Sequence, residues 1–279
     1  MAAILQSEVN GMNTFDLFSM KGKNVLITGG RAMYGLGATL ALADAGANIY
    51  LASHSIESAQ QLVTELRETR GVKVTALAFD LDDIQSIESL VQSVIEDAGS
   101  IDAFVHCSRI IPKGGEGIGW DQDPIQLEQN VRVNSAASLY LIQLVGAQMI
   151  RQGYGSMVVF GSMMGLIGVE KHNYDGNPGM LPGAYAPAYA VDKSGLTAWV
   201  RHAASYYGQY GVRINAVCPG GLQSDRTNPV FAEQYSKHTQ LGRLANEHDI
   251  KGPILFLVSE ASAYLTGLSL PVDGGYTCI

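Results

Sequence analysis

The sequence has few cysteines, few charged residues and no excess of basic ones. Only three of its 279 residues are cysteine, and Cys107, Cys218 and Cys278 show neither metal-ligand spacing nor a disulfide framework. Charged residues make up 16%, with 18 Lys and Arg against 26 Asp and Glu, a formal net charge of -8. Because an acidic surface repels phosphate backbones and anionic lipids, neither nucleic acid nor a membrane is expected as a partner.

Long hydrophobic runs and targeting signals are also missing. No stretch approaches the roughly 18 consecutive apolar residues of a membrane span, and residues 1–10 contain no basic segment followed by an apolar core. His54, His106 and His172 have no ligand spacing, so no metal is expected. With 47% hydrophobic residues, the chain is expected to be a globular cytoplasmic protein.

Short apolar runs alternate along the chain with segments of helical periodicity. Strands are predicted at 24–28, 48–52, 72–79, 101–106, 157–160, 214–218 and 268–272, and helices at 38–45, 55–69, 83–99, 124–152, 188–209 and 250–259. Nearly continuous apolar strands between helices predict a parallel sheet that is covered on both faces. We therefore expect an α/β, Rossmann-like, doubly wound fold of about seven strands. Residues 23–279 would form this single domain, and residues 1–22 an N-terminal extension packed onto it.

Residues with useful chemistry follow the predicted strands. A glycine-rich turn follows the first strand, Asp80 ends the third, His106 the fourth, Ser162 the fifth and Pro219 the sixth. Glycines let the backbone approach a pyrophosphate, and the N-terminus of the next helix attracts that anion. Ligands of such sheets bind beyond the carboxyl ends of the strands, so these residues are expected to line one nucleotide-binding edge.

A tyrosine and a lysine stand four residues apart in the predicted helix 188–209. This spacing puts Tyr189 and Lys193 on one helix face, one turn apart. A cation held near a phenol favours the phenolate, so such a pair can donate and accept protons near neutral pH.

From about residue 21 to residue 279, the sequence resembles the classical short-chain dehydrogenase/reductase family. The resemblance is carried by Thr28, Gly29, Gly35, Gly37, Asp80, Asn134, Ser162, Tyr189, Lys193, Pro219, Gly220, Ser224 and residues 272–275. It implies interconversion of a ketone and a secondary alcohol, with hydride passing between nicotinamide and carbon and Tyr189 as general acid and base. It also implies that Lys193 supports the phenolate and holds the nicotinamide ribose. Ser162 would orient the substrate oxygen, and Asn134 would hold a water in the proton relay.

The same resemblance implies a set of cofactor-binding residues. They are Gly29, Arg31, Tyr34, Gly35, Gly37, Ser53, His54, Asp80, Leu81, Cys107, Tyr189, Lys193, Pro219, Gly220, Leu222 and Ser224. NAD preference usually needs a carboxylate at the end of the second strand, but residues 52–55 read Ala-Ser-His-Ser. Because Arg31 and His54 could receive a 2′-phosphate, NADP(H) is slightly favoured over NAD(H).

The chain departs from the family pattern in three places. Five residues instead of three separate Thr28-Gly29 from Gly35-x-Gly37, so the turn is expected to bulge and carry Arg31 and Tyr34 outward. The segment 106–109 reads His-Cys-Ser-Arg where the family commonly has Asn-Asn-Ala-Gly, so cofactor support there must be built differently. Ser162 and Tyr189 are 27 positions apart, about twice the usual gap, and residues 169–187 are expected to form a loop over the substrate pocket.

The substrate is open between alternatives. Arg109, Met163, Met164 and Tyr185 are expected at the substrate, with Met180, Leu181 and residues 227–235 as further walls. Apolar walls favour a bulky cyclic ketone or alcohol such as a hydroxysteroid. Alternatively, His172, Asn173 and Asp175 could bind a sugar or sugar acid, as in gluconate-type members of the family.

A function of another class and an oligomeric state are also implied by the resemblance. Some proteins of this fold bind a nucleotide and act as regulators or scaffolds without turnover. The family commonly forms tetramers through the helices that correspond to 124–152 and 188–209, so a homotetramer or homodimer is expected.

Overall fold

A computed structural model describes residues 13–110 and 120–279, and within them seven strands form one parallel sheet. The order across the sheet is β3-β2-β1-β4-β5-β6-β7. Their bounds are β1 Asn24–Thr28, β2 Asn48–Ser53, β3 Val74–Ala78, β4 Ala103–His106, β5 Gly155–Phe160, β6 Val212–Pro219 and β7 Ser269–Val272. The predicted fold class is confirmed, and only the strand ends differ from those expected.

Nine α-helices are found in the described residues. They are α1 Met33–Asp44, α2 Ile56–Arg70, α3 Ile84–Ala98, α4 Pro124–Asn130, α5 Ser138–Gln152, α6 Leu181–Ala184, α7 Pro187–Tyr207, α8 Pro229–His238 and α9 Lys251–Val258. Ser55 and Asp83 cap α2 and α3 by accepting backbone hydrogen bonds, as predicted. Helix α8 was not predicted, because it is short and buries only Tyr235, which leaves no apolar period to detect.

The helix predicted over 124–152 is interrupted. Residues Val131–Ala137, between α4 and α5, are π-helical, so the side chains that follow are rotated relative to a continuous α-helix. Sequence periodicity carries no sign of this wider turn. Of the described segments, Pro124–Gln152 alone is long and apolar enough to cross a membrane by composition, with a mean hydropathy of 1.2 in its best window. Leu141, Val145 and Met149 are fully buried against the sheet, so it is a core helix.

The sheet is covered on both faces. Leu26 of β1 belongs to the buried cluster beneath α3, α5 and α7, whereas Val25 and Ile27 belong to the cluster beneath α1, α2 and α9. Side chains of a strand alternate between the two faces, and both sets are buried here. This arrangement explains why the strands read as continuous apolar runs.

The predicted N-terminal extension lies partly outside the described residues. Residues 14–18 form a 3₁₀ turn in which Phe15 is 82% exposed. Met20 is buried, and its backbone N–H donates to the Ala45 carbonyl 2.9 Å away. The described part of the extension is therefore attached to the end of α1 through Met20.

The strand register brings the carboxyl ends of the strands to one edge. Thr28 pairs with both Ala52 and His106, and Pro219 pairs with Val272. Because β2 and β4 flank β1 on opposite sides, the chain reverses its winding direction at β1, and a crevice opens there. The glycine-rich turn leaves β1 at this crevice.

That turn is packed too tightly for a side chain at Gly35. A Cβ placed there would lie 2.0 Å from the Gly29 carbonyl oxygen, and Gly29 itself has a φ of +71°. Only glycine therefore allows the two ends of the turn to meet.

We expect Gly35→Ala to lower the free energy of unfolding by about 1–3 kcal/mol or more, because a backbone oxygen must move to admit the new Cβ. Urea unfolding followed by circular dichroism measures this change. Gly195→Ala is the matched control, since Gly195 lies inside α7 with no atom within 4 Å of its added Cβ. Gly195→Ala should raise the free energy of unfolding by up to about 1 kcal/mol. Equal effects of the two substitutions would contradict the claim that only glycine fits at position 35.

Candidate active site

Tyr189 and Ser162 meet at the carboxyl edge of the sheet although 27 residues separate them. Tyr189 lies in the first turn of α7, and Ser162 follows β5, where its side chain caps a short 3₁₀ turn. The Tyr189 hydroxyl donates a hydrogen bond to Ser162 Oγ at 3.2 Å. Both side chains line the same cavity, so two hydroxyl groups face the space where a substrate oxygen would bind.

Lys193 is fixed one helical turn after Tyr189. Its Nζ donates to the Phe160 carbonyl at the end of β5, at 2.7 Å. Burial of the ammonium group lowers the pKa of Lys193 to about 8, and the nearby Arg109 charge acts in the same direction. The helix thus holds beside the tyrosine a cation that can release its proton close to neutral pH.

Asn134 lies in the π-helical stretch, and its side chain is fully engaged. Its Oδ1 accepts from the Ile110 N–H at 2.8 Å, while its Nδ2 donates to the Ile110 carbonyl at 2.8 Å and to Asn130 Oδ1 at 3.1 Å. Asn134 therefore joins the interrupted helix to the loop after β4. It lines a small cavity together with Lys193, and its role in holding a water there stays a prediction.

Arg109 approaches Tyr189 from the loop after β4. Its guanidinium carbon lies 4.6 Å from the centroid of the Tyr189 ring, which is cation–π geometry. Burial lowers the pKa of Arg109, and the Tyr189 and Asp192 side chains oppose that shift. Arg109, Met163 and Met164, which were predicted to contact the substrate, all line the cavity.

His106 and Cys107, which stand where the family commonly has Asn-Asn, lie beneath the crevice. His106 Nδ1 lies 2.9 Å from Thr28 Oγ1, and its Nε2 lies 3.0 Å from Ser138 Oγ. Burial, aided by the Lys193 charge, lowers the pKa of His106 to about 3, so the ring is neutral and joins β1, β4 and α5. Burial raises the pKa of the Cys107 thiol to about 12, which makes it a poor nucleophile.

The expectation that Tyr34 points outward is wrong. Tyr34 is 9% exposed, and its hydroxyl donates to the Gly220 carbonyl at 3.1 Å, across the crevice. The reason is that α1 already begins at Met33, so Tyr34 lies in a helical turn that faces the protein instead of in a bulged loop. Met33 has a φ of +52°, a left-handed conformation that non-glycine residues rarely adopt. Arg31 is exposed, as expected.

The first turn of α1 fits a pyrophosphate. Its N-cap is Ala32, whose methyl group cannot cap the helix, so the first N–H groups lack the side-chain partner that a Ser or Asp would provide. These donors and the positive end of the helix dipole lie at the crevice beside Gly29 and Gly35. The residues present therefore suit the pyrophosphate of a dinucleotide cofactor.

Polar groups gather at the end of β2, where the adenosine end of such a cofactor would extend. Arg31 Nη1 donates to the Ser58 carbonyl in the first turn of α2 at 2.9 Å. His54 Nε2 lies 3.7 Å from Asp80 Oδ2, and Ser53 Oγ donates to the Ser55 carbonyl at 2.7 Å. Arg31 and His54, which are far apart in sequence, thus flank the same strand end.

The remaining predicted cofactor residues differ in what they offer. Leu81 is buried in the hydrophobic core, so only its backbone can contact a ligand. Leu222 pairs with Ala245 in an isolated bridge, and the Ser224 N–H donates to Thr227 Oγ1 at 2.9 Å. Pro219 and Gly220 form a wall of the cavity, and Gly37 packs close to the Glu247 backbone.

The cavity beside Tyr189 has a volume of about 340 Å³. Val169, Glu170, Asn173 and Tyr174, from the segment predicted to form a loop over the pocket, line this cavity, as do Phe231 and Tyr235 of α8. Met180, Leu181 and Tyr185 are not among the described residues that line it, and Tyr185 is 38% exposed. These three were chosen for their residue types, but the residue of this part of the loop that lines the cavity is Ala184, at the end of α6.

Sequence reasoning gave too little weight to the polar residues of this cavity. Glu170 was not singled out, and Asn173 was considered only for the sugar alternative. Asn173 is 4% exposed, and its Nδ2 donates to the Tyr276 hydroxyl at 2.7 Å. Its Oδ1 is buried without a hydrogen-bond partner in the described part of the chain. The neighbouring His172 is exposed and bonds to Glu170 instead of facing the cavity.

A larger cavity, of about 580 Å³, lies at the opposite edge of the sheet. Its polar walls are already paired, since Lys23 lies 3.6 Å from Asp102 and Arg213 donates to the Leu257, Ser259 and Leu265 carbonyls. The 340 Å³ cavity is therefore the candidate active site, because it alone of the two contains Tyr189 and Ser162.

Known proteins resemble this chain over most of its length. Residues 32–277 match a family model described as enoyl-(acyl carrier protein) reductase. L-rhamnose 1-dehydrogenase (NAD(P)(+)) from Sphingomonas sp. strain SKA58 is 31% identical over 92% of this chain and 96% of its own length. NADP-dependent mannitol dehydrogenase from Hypocrea jecorina is 31% identical over 94% of this chain and 95% of its own length. A short-chain type dehydrogenase/reductase from Mycobacterium marinum superposes with a TM-score of 0.79 at 25% identity, covering 96% of this chain and 100% of that one.

The chain belongs to the short-chain dehydrogenase/reductase family. It is an NAD(P)-dependent oxidoreductase that acts on CH–OH groups, as the sequence predicted. The alternative of a scaffold protein without turnover is set aside.

The neutral state of His106 predicts a loss of stability in acid. Its pKa is about 3 in the folded protein and about 6.5 in the unfolded chain, so the unfolded state binds the proton first as the pH falls below 6.5. This residue should therefore cost about 2 kcal/mol of stability between pH 6.5 and pH 5. Urea unfolding at both pH values measures this loss. The free energy of unfolding of His106→Gln should fall by about 2 kcal/mol less than that of the parent protein between pH 6.5 and pH 5. His202→Gln, at an exposed position of α7, is the control and should behave like the parent.

Proposed function

We propose that this protein is a dehydrogenase or reductase of a polyhydroxylated substrate, a sugar or sugar acid, and not of a hydroxysteroid. The observation that carries the proposal is the buried, unpartnered Oδ1 of Asn173 in the cavity wall. A buried acceptor without a donor costs about 1–3 kcal/mol, and a substrate hydroxyl would supply that donor. An apolar ring would leave it unpaired, so the site discriminates against such a ligand.

Further groups in the cavity support this substrate class. Glu170 and Tyr174 add polar positions near Asn173, while Met163, Met164 and Phe231 offer apolar surface to one face of a ring. Arg109 contributes a cation, which favours a substrate with a carboxylate. The relatives named for L-rhamnose and mannitol act on a sugar and a sugar alcohol, which agrees with this choice.

The protein contributes placement and proton transfer to the reaction. A nicotinamide cofactor, when bound, supplies or accepts the hydride. Tyr189 would take the hydroxyl proton in oxidation and return it in reduction, while Ser162, 3.2 Å from it, would hold the substrate oxygen in line. Lys193, anchored on the Phe160 carbonyl, would stabilise the phenolate that forms.

The experiment is a screen of sugars, sugar acids, polyols and hydroxysteroids with both cofactors. We expect turnover with polyhydroxylated substrates, and its loss in Tyr189→Phe. Asn173→Leu should lower kcat/KM for these substrates by about 10- to 100-fold, because it removes the buried acceptor. Tyr276→Phe is the matched control, since it removes the bonding partner of Asn173 and leaves Oδ1 in place. Efficient turnover of a steroid that is insensitive to Asn173→Leu would refute the proposal.

We also propose NADP(H) as the preferred cofactor. Arg31 and His54 flank the end of β2, and residues 52–55 contain no carboxylate to repel a 2′-phosphate.

Arg31→Ala should raise the KM for NADP(H) about tenfold or more while changing the KM for NAD(H) little, because only NADP(H) carries the phosphate. Initial rates at varied cofactor concentration measure both constants. Arg201→Ala, an exposed arginine on α7, serves as the control. An equal rise for both cofactors would show that Arg31 does not contact the phosphate.

The oligomeric state and the cytoplasmic location stay predictions. Because members of the family commonly form such oligomers, we propose a homotetramer or homodimer that assembles through helices α4, α5 and α7.

A further inference from the structure

The cavity wall that follows β6 contains two successive glycines, Gly220 and Gly221, with no room for a side chain on either. A Cβ at Gly220 would lie 2.8 Å from the Tyr235 hydroxyl oxygen and 3.0 Å from the Asp273 Cα. A Cβ at Gly221 would lie 3.0 Å from Tyr235 Cζ. The backbone of these glycines is therefore packed between α8 and the segment after β7, and this backbone lines the cavity.

Every polar backbone group of this glycine pair is bonded within the protein. The Gly220 N–H donates to a carbonyl of β7 at 3.0 Å, and the Gly221 carbonyl accepts from the Ala245 N–H at 2.9 Å. The Gly220 carbonyl accepts from the Tyr34 hydroxyl at 3.1 Å. The Gly221 N–H donates to the Tyr235 hydroxyl oxygen at 2.7 Å. The position of the wall is thus fixed by the protein itself, and two tyrosine hydroxyls contribute to it.

The two tyrosines reach the wall from different parts of the site. Tyr34 lies in the first turn of α1, which suits the pyrophosphate, and its ring packs in the core beneath α1 and α9. The Tyr235 hydroxyl also donates to Met163 Sδ at 3.0 Å, in the turn that Ser162 caps. One tyrosine therefore joins the wall to the cofactor turn, and the other joins it to the turn of the candidate catalytic serine.

Tyr235 is held in place by neighbouring rings. Its ring centroid lies 4.8 Å from that of Tyr276 and 5.5 Å from that of Phe231. Only 2% of Tyr235 is exposed, so its ring has little freedom to leave the wall.

Both hydroxyls keep their protons at neutral pH. Burial raises the pKa of Tyr34 and of Tyr235 above the ordinary value of about 10. Tyr34 can therefore donate to the Gly220 carbonyl, and Tyr235 can donate to Met163 while it accepts from Gly221. Phenylalanine at either position would remove the partner of one backbone group in the wall.

We propose that Tyr34 and Tyr235 are positioning residues that hold the wall at Gly220 and Gly221 from two sides, one for the cofactor and one for the substrate. Tyr34 sets the distance from the pyrophosphate turn to the wall, a distance that a dinucleotide must span, so it serves cofactor binding. Tyr235 sets the distance from the wall to the Ser162 turn, so it serves the approach of the two reactants. Neither tyrosine exchanges a proton or a hydride.

Amide hydrogen exchange tests the wall without cofactor or substrate. The Gly221 amide should exchange about tenfold faster or more in Tyr235→Phe, relative to the amides of β1, which report opening of the whole fold. Tyr264→Phe is the matched control, because Tyr264 is fully exposed at the opposite edge of the sheet and loses the same hydroxyl group. Unchanged relative exchange of Gly221 in Tyr235→Phe would overturn the proposal.

Tyr34→Phe and Tyr235→Phe form a second matched pair, since each removes one hydroxyl from the same wall. Tyr34→Phe should raise the Kd of the reduced cofactor about fivefold or more and change the single-turnover rate of hydride transfer less than about twofold. Tyr235→Phe should lower that rate about 10- to 100-fold and leave the Kd within about twofold. Fluorescence titration without substrate measures the Kd, and rapid mixing measures the rate.

Equal changes of Kd and rate in the two variants would indicate a merely structural role and overturn the proposal. If Tyr235→Phe does not fold, Met163→Leu removes the sulfur that Tyr235 contacts at nearly constant volume. Met163→Leu should slow hydride transfer about threefold or more while the Gly221 amide stays protected, and an unchanged rate would again overturn the proposal.

The outcomes are independent of the proposed sugar substrate. The rates are measured with whichever carbonyl compound the parent protein reduces fastest, so a substrate other than a sugar refutes the proposed function and leaves this test intact. Amide exchange and cofactor Kd need no substrate, and they decide the roles of Tyr235 and Tyr34 in either case.

Discussion

The burial of the Lys193 ammonium beside the end of β5 is the constraint on which the active site depends. A cation placed there must be compensated: the Phe160 carbonyl accepts a hydrogen bond from it, and the charge of Asp192 favours its protonated form. The neighbouring His106 is neutral mainly because its own ring is fully buried, and the Lys193 charge acts in the same direction. Burial, together with this one charge, thus keeps His106 neutral.

Close backbone packing and side-chain hydrogen bonds maintain the shape of the crevice. Gly29 and Gly35 touch through their backbones, Tyr34 spans the opening to Gly220, and His106 joins β1 to α5 beneath it. These contacts leave the first turn of α1 facing the space where a pyrophosphate fits. In this chain the His-Cys-Ser-Arg segment supports the edge through the ring of His106, which contacts Thr28 of β1 and Ser138 of α5.

The substrate cavity shows why residue type alone is a poor guide to specificity. Met163 and Met164 suggested an apolar ligand, and both do line the cavity. The proposal of a polyhydroxylated substrate depends instead on Asn173, whose buried oxygen has no donor in the described part of the chain. A buried polar atom without a partner says more about the substrate than the apolar surface around it does, because flexible methionine side chains adapt to ligands of many shapes.

The sequence by itself determined the parallel sheet, the edge at which the site forms, and the pairing of Tyr189 with Lys193. Apolar runs, helix caps and the i, i+4 spacing are local patterns, so they can be recognised directly in the amino-acid sequence. It did not determine the π-helical turn at Asn134, the inward position of Tyr34, the exclusion of Tyr185 from the cavity, or the small cavity at Asp192. The positions of Asn134 and Tyr34 involve contacts between segments that are distant in sequence, Asn134 with Ile110 and Tyr34 with Gly220. Only the packed tertiary structure decided them, because the hydrogen-bond partners of buried polar groups are chosen where elements meet.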